Sequence, residues 1–467
     1  MCARGREKRT TGSIISIANG DPGTFTATLQ FFGQPRRCSA SSVEGYLRNS
    51  LPLIASSILL ASALAQSRVC EVRAYGAKSD GTTKDTRAIQ AAIDACAAAG
   101  GGTVRLSGGK FVTAPIELKS NVEFDIEKDA VLLGSALRED YPKALRMRQQ
   151  TVEPLIVITN ASNVTIKGGG VIDGQGKVWW DYVNGVKDSG VLGTDHPRPM
   201  LLLIDHSKHV VVEDVTIQNS GFWQVVPYYS DDLVFRNLKI LAPQRGAPNT
   251  DAIDPFSSSH VTIDHVFAST GDDNVAIKSG AINSPGPDAP SHDITITDCE
   301  FEAGHGLSIG SEVAGGVQNV RAERIHFKGT DQGIRVKANR DRGNDLSHLS
   351  FKDITMENVR TAILISEYYP KAMPEGEVAA APIGRLTPFF HDIHIENVTA
   401  TGGDWAGVII GLPESPIKGL TMKDVSLSAT KGLDIAFAQV TLDHVTVTAT
   451  QGDPVNVAKT AQVFIVK

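Results

Sequence analysis

Cysteine, aromatic residues and long apolar runs are all scarce in this 467-residue chain, and each scarcity removes a class of protein. Five cysteines, two of them before residue 66, are too few for a disulfide scaffold. Cys70 and Cys96 are a candidate bridge near the start of the periodic region, and Cys299, at an apolar position of a strand-like unit, reads as a buried thiol. There is no CxxC, no HExxH and no glycine-rich phosphate loop, so zinc, redox and nucleotide chemistry have no support and no cofactor is expected. A net charge of -7 argues against a nucleic-acid partner. Helical spacing is nearly absent after residue 100. What is plentiful is glycine, with 44 residues, which suits a turn-rich β fold.

The first 65 residues stand apart from the rest. Residues 1–45 are basic and turn-rich without periodicity and read as a non-structural extension. Residues 46–65 contain the apolar run Leu51 to Leu64, too short to span a bilayer, and end in the small-residue site Ala63-Leu64-Ala65. This is the pattern of a secretory signal peptide, made internal by the extension; a translation start downstream, near Val43, would explain it. The expected mature chain begins near Gln66, is secreted or periplasmic, has no membrane attachment after cleavage, and forms one domain over residues 66–467.

Within that domain a unit recurs: turn residue, apolar, any, apolar, polar, polar, apolar. It appears at Asn163, His209, Asp232, His260, Asp293, Asn319 and His348, and continues at Asp392, Gly419 and Gln439. The first apolar anchors, Val210, Leu233, Val261, Ile294, Val320 and Leu349, are 23, 28, 33, 26 and 29 residues apart. Alternation has period 2, so the units are strands. Strands of one orientation returning this quickly leave little room for crossover helices, which excludes a TIM barrel or doubly wound sheet, and the units are too short for propeller blades. The expected fold is all-β, a single-stranded right-handed parallel β-helix advancing ~4.8 Å per coil. Its interior ladder would include Val212, Phe235, Ile263, Ile296 and Phe351. A short helix, Arg87 to Ala98, with Ala88, Ile89, Ala92, Ile93 and Cys96 on one face, would cap the first coil; Asp85 or Thr86 is its expected N-cap and Gly100 to Gly102 its end.

Four clusters lie about one repeat apart: Asn249-Thr250-Asp251, Gly271-Asp272-Asp273, Gly304-His305-Gly306 and Arg335-Val336-Lys337. Stacked coils would bring them into one cleft. Asp251 and Asp273 are 22 residues apart, close to the shortest repeat, so they would sit one above the other with Asp272 beside them. Three crowded carboxyls repel, so at least one should keep its proton well above the ordinary carboxylate range. A calcium site is the other reading of such a cluster. Against it stand His305 and the pair Arg335 and Lys337, which share one face of a strand. Adjacent Asp272 and Asp273 would point to opposite faces of a regular strand, so Gly271 is expected to bend the backbone and bring both to the cleft.

These motifs, in this order and spacing, resemble the signatures of the polygalacturonase-type glycoside hydrolases, family 28, over roughly residues 70 to 450. Val336 and Ala252 are small departures from the family pattern. The resemblance implies hydrolysis of α-1,4 bonds between galacturonic acid units of polygalacturonate or pectin, with inversion, by a monomer that needs no metal. Inversion uses one protonated carboxyl and one base, roughly 6.5 to 9.5 Å apart. By position, Asp272 is the implied general acid and Asp251 and Asp273 hold and deprotonate the water. His305 tunes the acid, while Asn249, Arg335, Lys337 and Tyr369 bind substrate, the last with Tyr368 as an alternative. Insertions at 177–198, 281–291 and 370–390 are long enough to wall off a groove and resemble those of bacterial exo-acting members. Endo action, or a rhamnogalacturonan or xylogalacturonan substrate, is the alternative within the family. A calcium-dependent pectate lyase and a non-catalytic carbohydrate-binding β-helix are the alternatives outside it.

Overall fold

The computed structural model describes residues 68–188 and 196–466. The extension 1–45, the signal-like segment 46–65 and part of the 177–198 insertion lie outside those residues. The described chain winds into a right-handed parallel β-helix. Val210, Leu233, Val261, Ile294, Val320 and Leu349 stand in register on successive coils, so the sequence period is the coil itself.

The recurring turn residue explains the period. φ is 57° at Asn163, 53° at His209, 57° at Asp232, 50° at His260, 56° at Asp293, 55° at Asn319 and 55° at His348. Asn, Asp and His are the non-glycine side chains that best tolerate this left-handed region. Each such residue is skipped in the pairing: Ser162 pairs with Lys208 and Val164 with Val210, while Asn163 and His209 have no partner in the ladder. The skipped residue fixes which later side chains point inward. Behind it Val212, Phe235, Ile263, Ile296, Ala322 and Phe351 form one continuous ladder with no exposed surface. Ala322 is the rung the sequence pattern passed over, a small residue between two large ones. Burial of each larger rung contributes roughly 1.5–3 kcal/mol.

The expected capping helix is present as α1, Thr86–Ala98, with Ala88, Ile89, Ala92, Ile93 and Cys96 buried. It packs on strands Val69–Glu71, Gly102–Leu106 and Ile116–Leu118 of the first coils. Neither expected N-cap side chain caps it. The Asp85 carboxylate turns back instead to accept the backbone N–H groups of Lys78 and Ser79 at 2.7 and 2.9 Å. Cys70 and Cys96 form a disulfide that ties α1 to the first strand, and Cys299 is a buried free thiol.

Two elements were not expected. Helix α2, Lys177–Asp188, contradicts the near absence of helical spacing after residue 100: Trp179, Trp180 and Val183 form its buried stripe. The Trp180 indole donates to the carbonyl of Ser220 at 2.9 Å, and the Asn184 amide to that of Gly246 at 3.0 Å, so α2 lies beside the coil turn that precedes Asn249. The other element is a hairpin, Lys143–Arg146 with Gln149–Val152, the one antiparallel strand pair among the described residues.

Candidate active site

Strands Val275–Ile277, Leu307–Ile309, Gln332–Lys337 and Thr361–Ser366 lie side by side on one face of the coil stack, with Val225–Tyr228 continuing the sheet through bridges to Ile253 and Phe256. Ala276, Ser308 and Arg335 are directly in register. The four clusters therefore meet on neighbouring coils, as their spacing required.

Local chain geometry brings Asp272 and Asp273 to the same place. Residues 271–274 form a bend before the strand that starts at Val275. A side chain at Gly271 would put Cβ 2.3 Å from the carbonyl oxygen of Ala247, so only glycine lets the coils approach here. His305 is held the same way: φ is 94° at Gly304 and 77° at Gly306, and a Cβ on Gly306 would lie 2.0 Å from the Gln332 carbonyl oxygen. His305 Nδ1 is then 3.0 Å from Asp272 Oδ1 and 3.9 Å from Asp273 Oδ1.

The three carboxylates have different surroundings. Asp273 is buried and accepts from Arg335 Nη1 at 3.0 Å, Lys337 Nζ at 2.8 Å and Ser308 Oγ at 2.8 Å. Burial alone would raise its pKa, but Lys337 and Arg335 outweigh that and hold it well below the usual carboxylate range. Asp272 is the most exposed of the three, its side chain 21% accessible against 2% for Asp273 and 4% for Asp251. Burial pushes it up, the His305 hydrogen bond pulls it down, and the net direction is down. His305 moves the opposite way: burial lowers it, but Asp272 raises it above the usual histidine range. Their contact thus favours a proton on His305 and a negative charge on Asp272. Asn249 Nδ2 reaches Asp272 Oδ2 at 3.4 Å, and Tyr369 stands with Arg335 and Lys337 at 5.2 and 5.0 Å from its ring centre. Tyr368 instead turns to Arg340, at 5.7 Å.

Two expectations change on this geometry. The carboxyl driven above the ordinary range is not Asp272. Burial, then the charges of Asp254 and Asp272, push Asp251 well above the ordinary range, and burial raises Asp254 to about 8. Arg335 and Lys337 do not simply face solvent to meet sugar carboxylates either, since both are buried against Asp273.

The sequence patterns also missed three participants. Asp254 and Lys278 are fully interior, with Lys278 Nζ 3.5 Å from Asp251, 3.9 Å from Asp254 and 3.9 Å from Glu312. Arg198 is buried, donates to Asn249 Oδ1 at 2.6 Å and to the carbonyls of Gly221 and Pro248, and is lowered by burial to about 10. Asp254 lies three residues after Asp251, and Lys278 directly follows the strand Val275–Ile277; their closeness in sequence to Asp251 and Asp273 was the available signal. Ligand atoms of Asp272, Asp273 and His305 lie within 4.8 Å of one another, a spacing a cation could use. Lys337 and Arg335 already place two positive charges against Asp273, which opposes a divalent ion there.

A β-helix that gathers three acids, one near solvent and two buried beside cations, along an open face is built as a polysaccharide-cleaving enzyme. Residues 92–456 match the family model for glycosyl hydrolases family 28, and the chain belongs to that family. It is a glycoside hydrolase. It is 32% identical over 371 residues to an endo-polygalacturonase of Pectobacterium carotovorum subsp. carotovorum, covering 75% of this chain and 86% of that one. A probable polygalacturonase of Vitis vinifera is 30% identical over 373 residues, 76% of this chain and 73% of that one. Among solved structures, an exopolygalacturonase from Thermotoga maritima superposes with a TM-score of 0.71 at 28% identity, covering 83% of this chain and 93% of that chain.

Proposed function

We propose that this enzyme is an exo-acting polygalacturonase that hydrolyses α-1,4-galacturonosidic bonds with inversion. The observation that carries the catalytic assignment is the Asp272–His305 pair, the proton-bearing couple nearest the open face. In this reading His305 supplies the proton through Asp272 to the leaving oxygen. Asp251 and Asp254 are both pushed upward by burial and neighbouring charge and titrate together beside Lys278; Asp251, the closer to that ammonium, is the base that takes a proton from water. Asp273, kept anionic by Arg335, Lys337 and Ser308, orients that water. Donors of Arg335 and Lys337 beyond those held by Asp273, together with Asn249 and Tyr369, bind sugar carboxylates and hydroxyls. The chain acts as a monomer outside the cytoplasm after cleavage near Gln66, with residues 66–467 as its single domain. Among the described residues no helix is long and apolar enough to cross a membrane.

Relatives named for both endo and exo action flank this chain, so the mode is read from the loops over the face. Incubation with polygalacturonic acid, following reducing ends, viscosity and the anomer first released, tests the whole reading. Mono- or disaccharide products of inverted configuration, insensitive to chelator, are expected. An ultraviolet-absorbing unsaturated product would overturn hydrolysis in favour of elimination. Asp272→Asn should lower kcat by about 10²-fold or more with little change in thermal stability; near-full activity would remove Asp272 from the acid role.

A further inference from the structure

A cavity of about 550 Å³ opens beside the catalytic carboxylates on the side of the earlier coils. Its walls include Trp223, Tyr228, Tyr229 and Phe256, and it reaches Glu312. Trp223 and Glu312 are also neighbours of Lys278, whose ammonium lies 5.0 Å from the Trp223 ring centre and 3.9 Å from Glu312. Trp223 and Glu312 thus belong both to the cavity wall and to the surroundings of Lys278, which lies 3.5 Å from Asp251.

Three segments remote in sequence meet at one side chain of its lining, Asp288. Arg148, at the tip of the 143–152 hairpin, brings Nη1 to 3.6 Å from Asp288 Oδ1, while its Nη2 donates to the Tyr229 hydroxyl at 3.1 Å. Arg385, from the 370–390 insertion, brings Nη1 to 3.6 Å from Asp288 Oδ2. Ser284, from the same loop as Asp288, donates to Oδ2 at 2.6 Å. The Asp288 side chain is 3% accessible, whereas those of Arg148 and Arg385 are 60% and 44% accessible. A carboxylate this enclosed and facing two cations from separate segments fixes their relative positions more than it adds net stability.

We propose that Asp288 latches the hairpin and both insertions into a roof, that the roofed cavity receives the terminal uronic acid ring of the polymer, and that the latch sets exo action. This rests on the exo reading given above. The aromatic walls offer apolar faces to a pyranose ring, and the roof stops the chain from passing through.

The test compares wild type, Asp288→Ala and the double variant Arg148→Ala/Arg385→Ala on polygalacturonate, measuring viscosity loss per reducing end and the length of the first products. The double variant changes only partly exposed side chains, so it keeps the test available if Asp288→Ala does not fold. Wild type is expected to release mono- or disaccharides with slow viscosity loss. The variants should lose viscosity several-fold faster per bond cleaved and release longer oligomers. Variants that hydrolyse with wild-type product lengths would overturn the latch and leave exo action standing. Mixed oligomers from the wild type at the outset would overturn exo action and the terminal-ring role of the cavity with it.

Discussion

At the scale of single residues, the site works by giving chemically identical carboxyls different surroundings. Asp273 makes this measurable. Its pKa is depressed in the folded state, chiefly by Lys337 and Arg335 acting against burial. Such a group contributes stability that is present above its unfolded pKa and is lost as pH falls through the folded value. Lys337→Met removes one of the two cations and raises that folded value. The variant should therefore lose about 3 kcal/mol near neutral pH, with the deficit shrinking toward acid, and the acid limb of its pH–rate profile should move to higher pH. Melting temperatures and kcat/KM across a pH series check both. An unmoved acid limb with only a raised KM would assign Lys337 to substrate alone, the role the sequence resemblance implied.

The elements differ in how far they could be read before folding. Coils were legible because Asn163, His209, Asp232 and their successors announce each turn through a backbone conformation few residues accept. The clusters around Asp251, Asp273, His305 and Arg335 were legible because coil spacing places them together. Helix α2 was not, since Trp179, Trp180 and Val183 make too short a stripe to stand out from a loop. Asp254 and Lys278 escaped because a charged residue ordinarily faces water, and only the folded chain shows these two buried. The α1 cap carries its own prediction. Its disulfide closes a sequence separation of 26 residues, so Cys70→Ala/Cys96→Ala should cost about 3 kcal/mol in denaturant unfolding. The rate should hold, because the site begins at Arg198, several coils away. A comparable loss of kcat would mean that the cap supports the site.

For the molecule as a whole, stability is distributed along the stack and depends on how many neighbours a rung has. Phe351 lies between Ala322 and Ile395 in the interior ladder and has no exposed surface. Phe464 is in the last described strand and is 51% exposed. Phe351→Ala should destabilise by about 3–5 kcal/mol and Phe464→Ala by less than about 1. Calorimetry or urea unfolding of both variants distinguishes a graded stack from a uniform one.

The coil-on-coil pairing also imposes an order in time. Asp251 and Asp273 take their places when the chain has closed only the coils up to theirs, but Asp273 meets its cations two strands later, when Arg335 and Lys337 dock, and Tyr369 arrives in the turn after the next strand. A chain emerging N-terminus first thus presents its acids before the groups that set their charge. The charge on Asp273 is therefore set late, by the closing of the coil that bears Arg335 and Lys337.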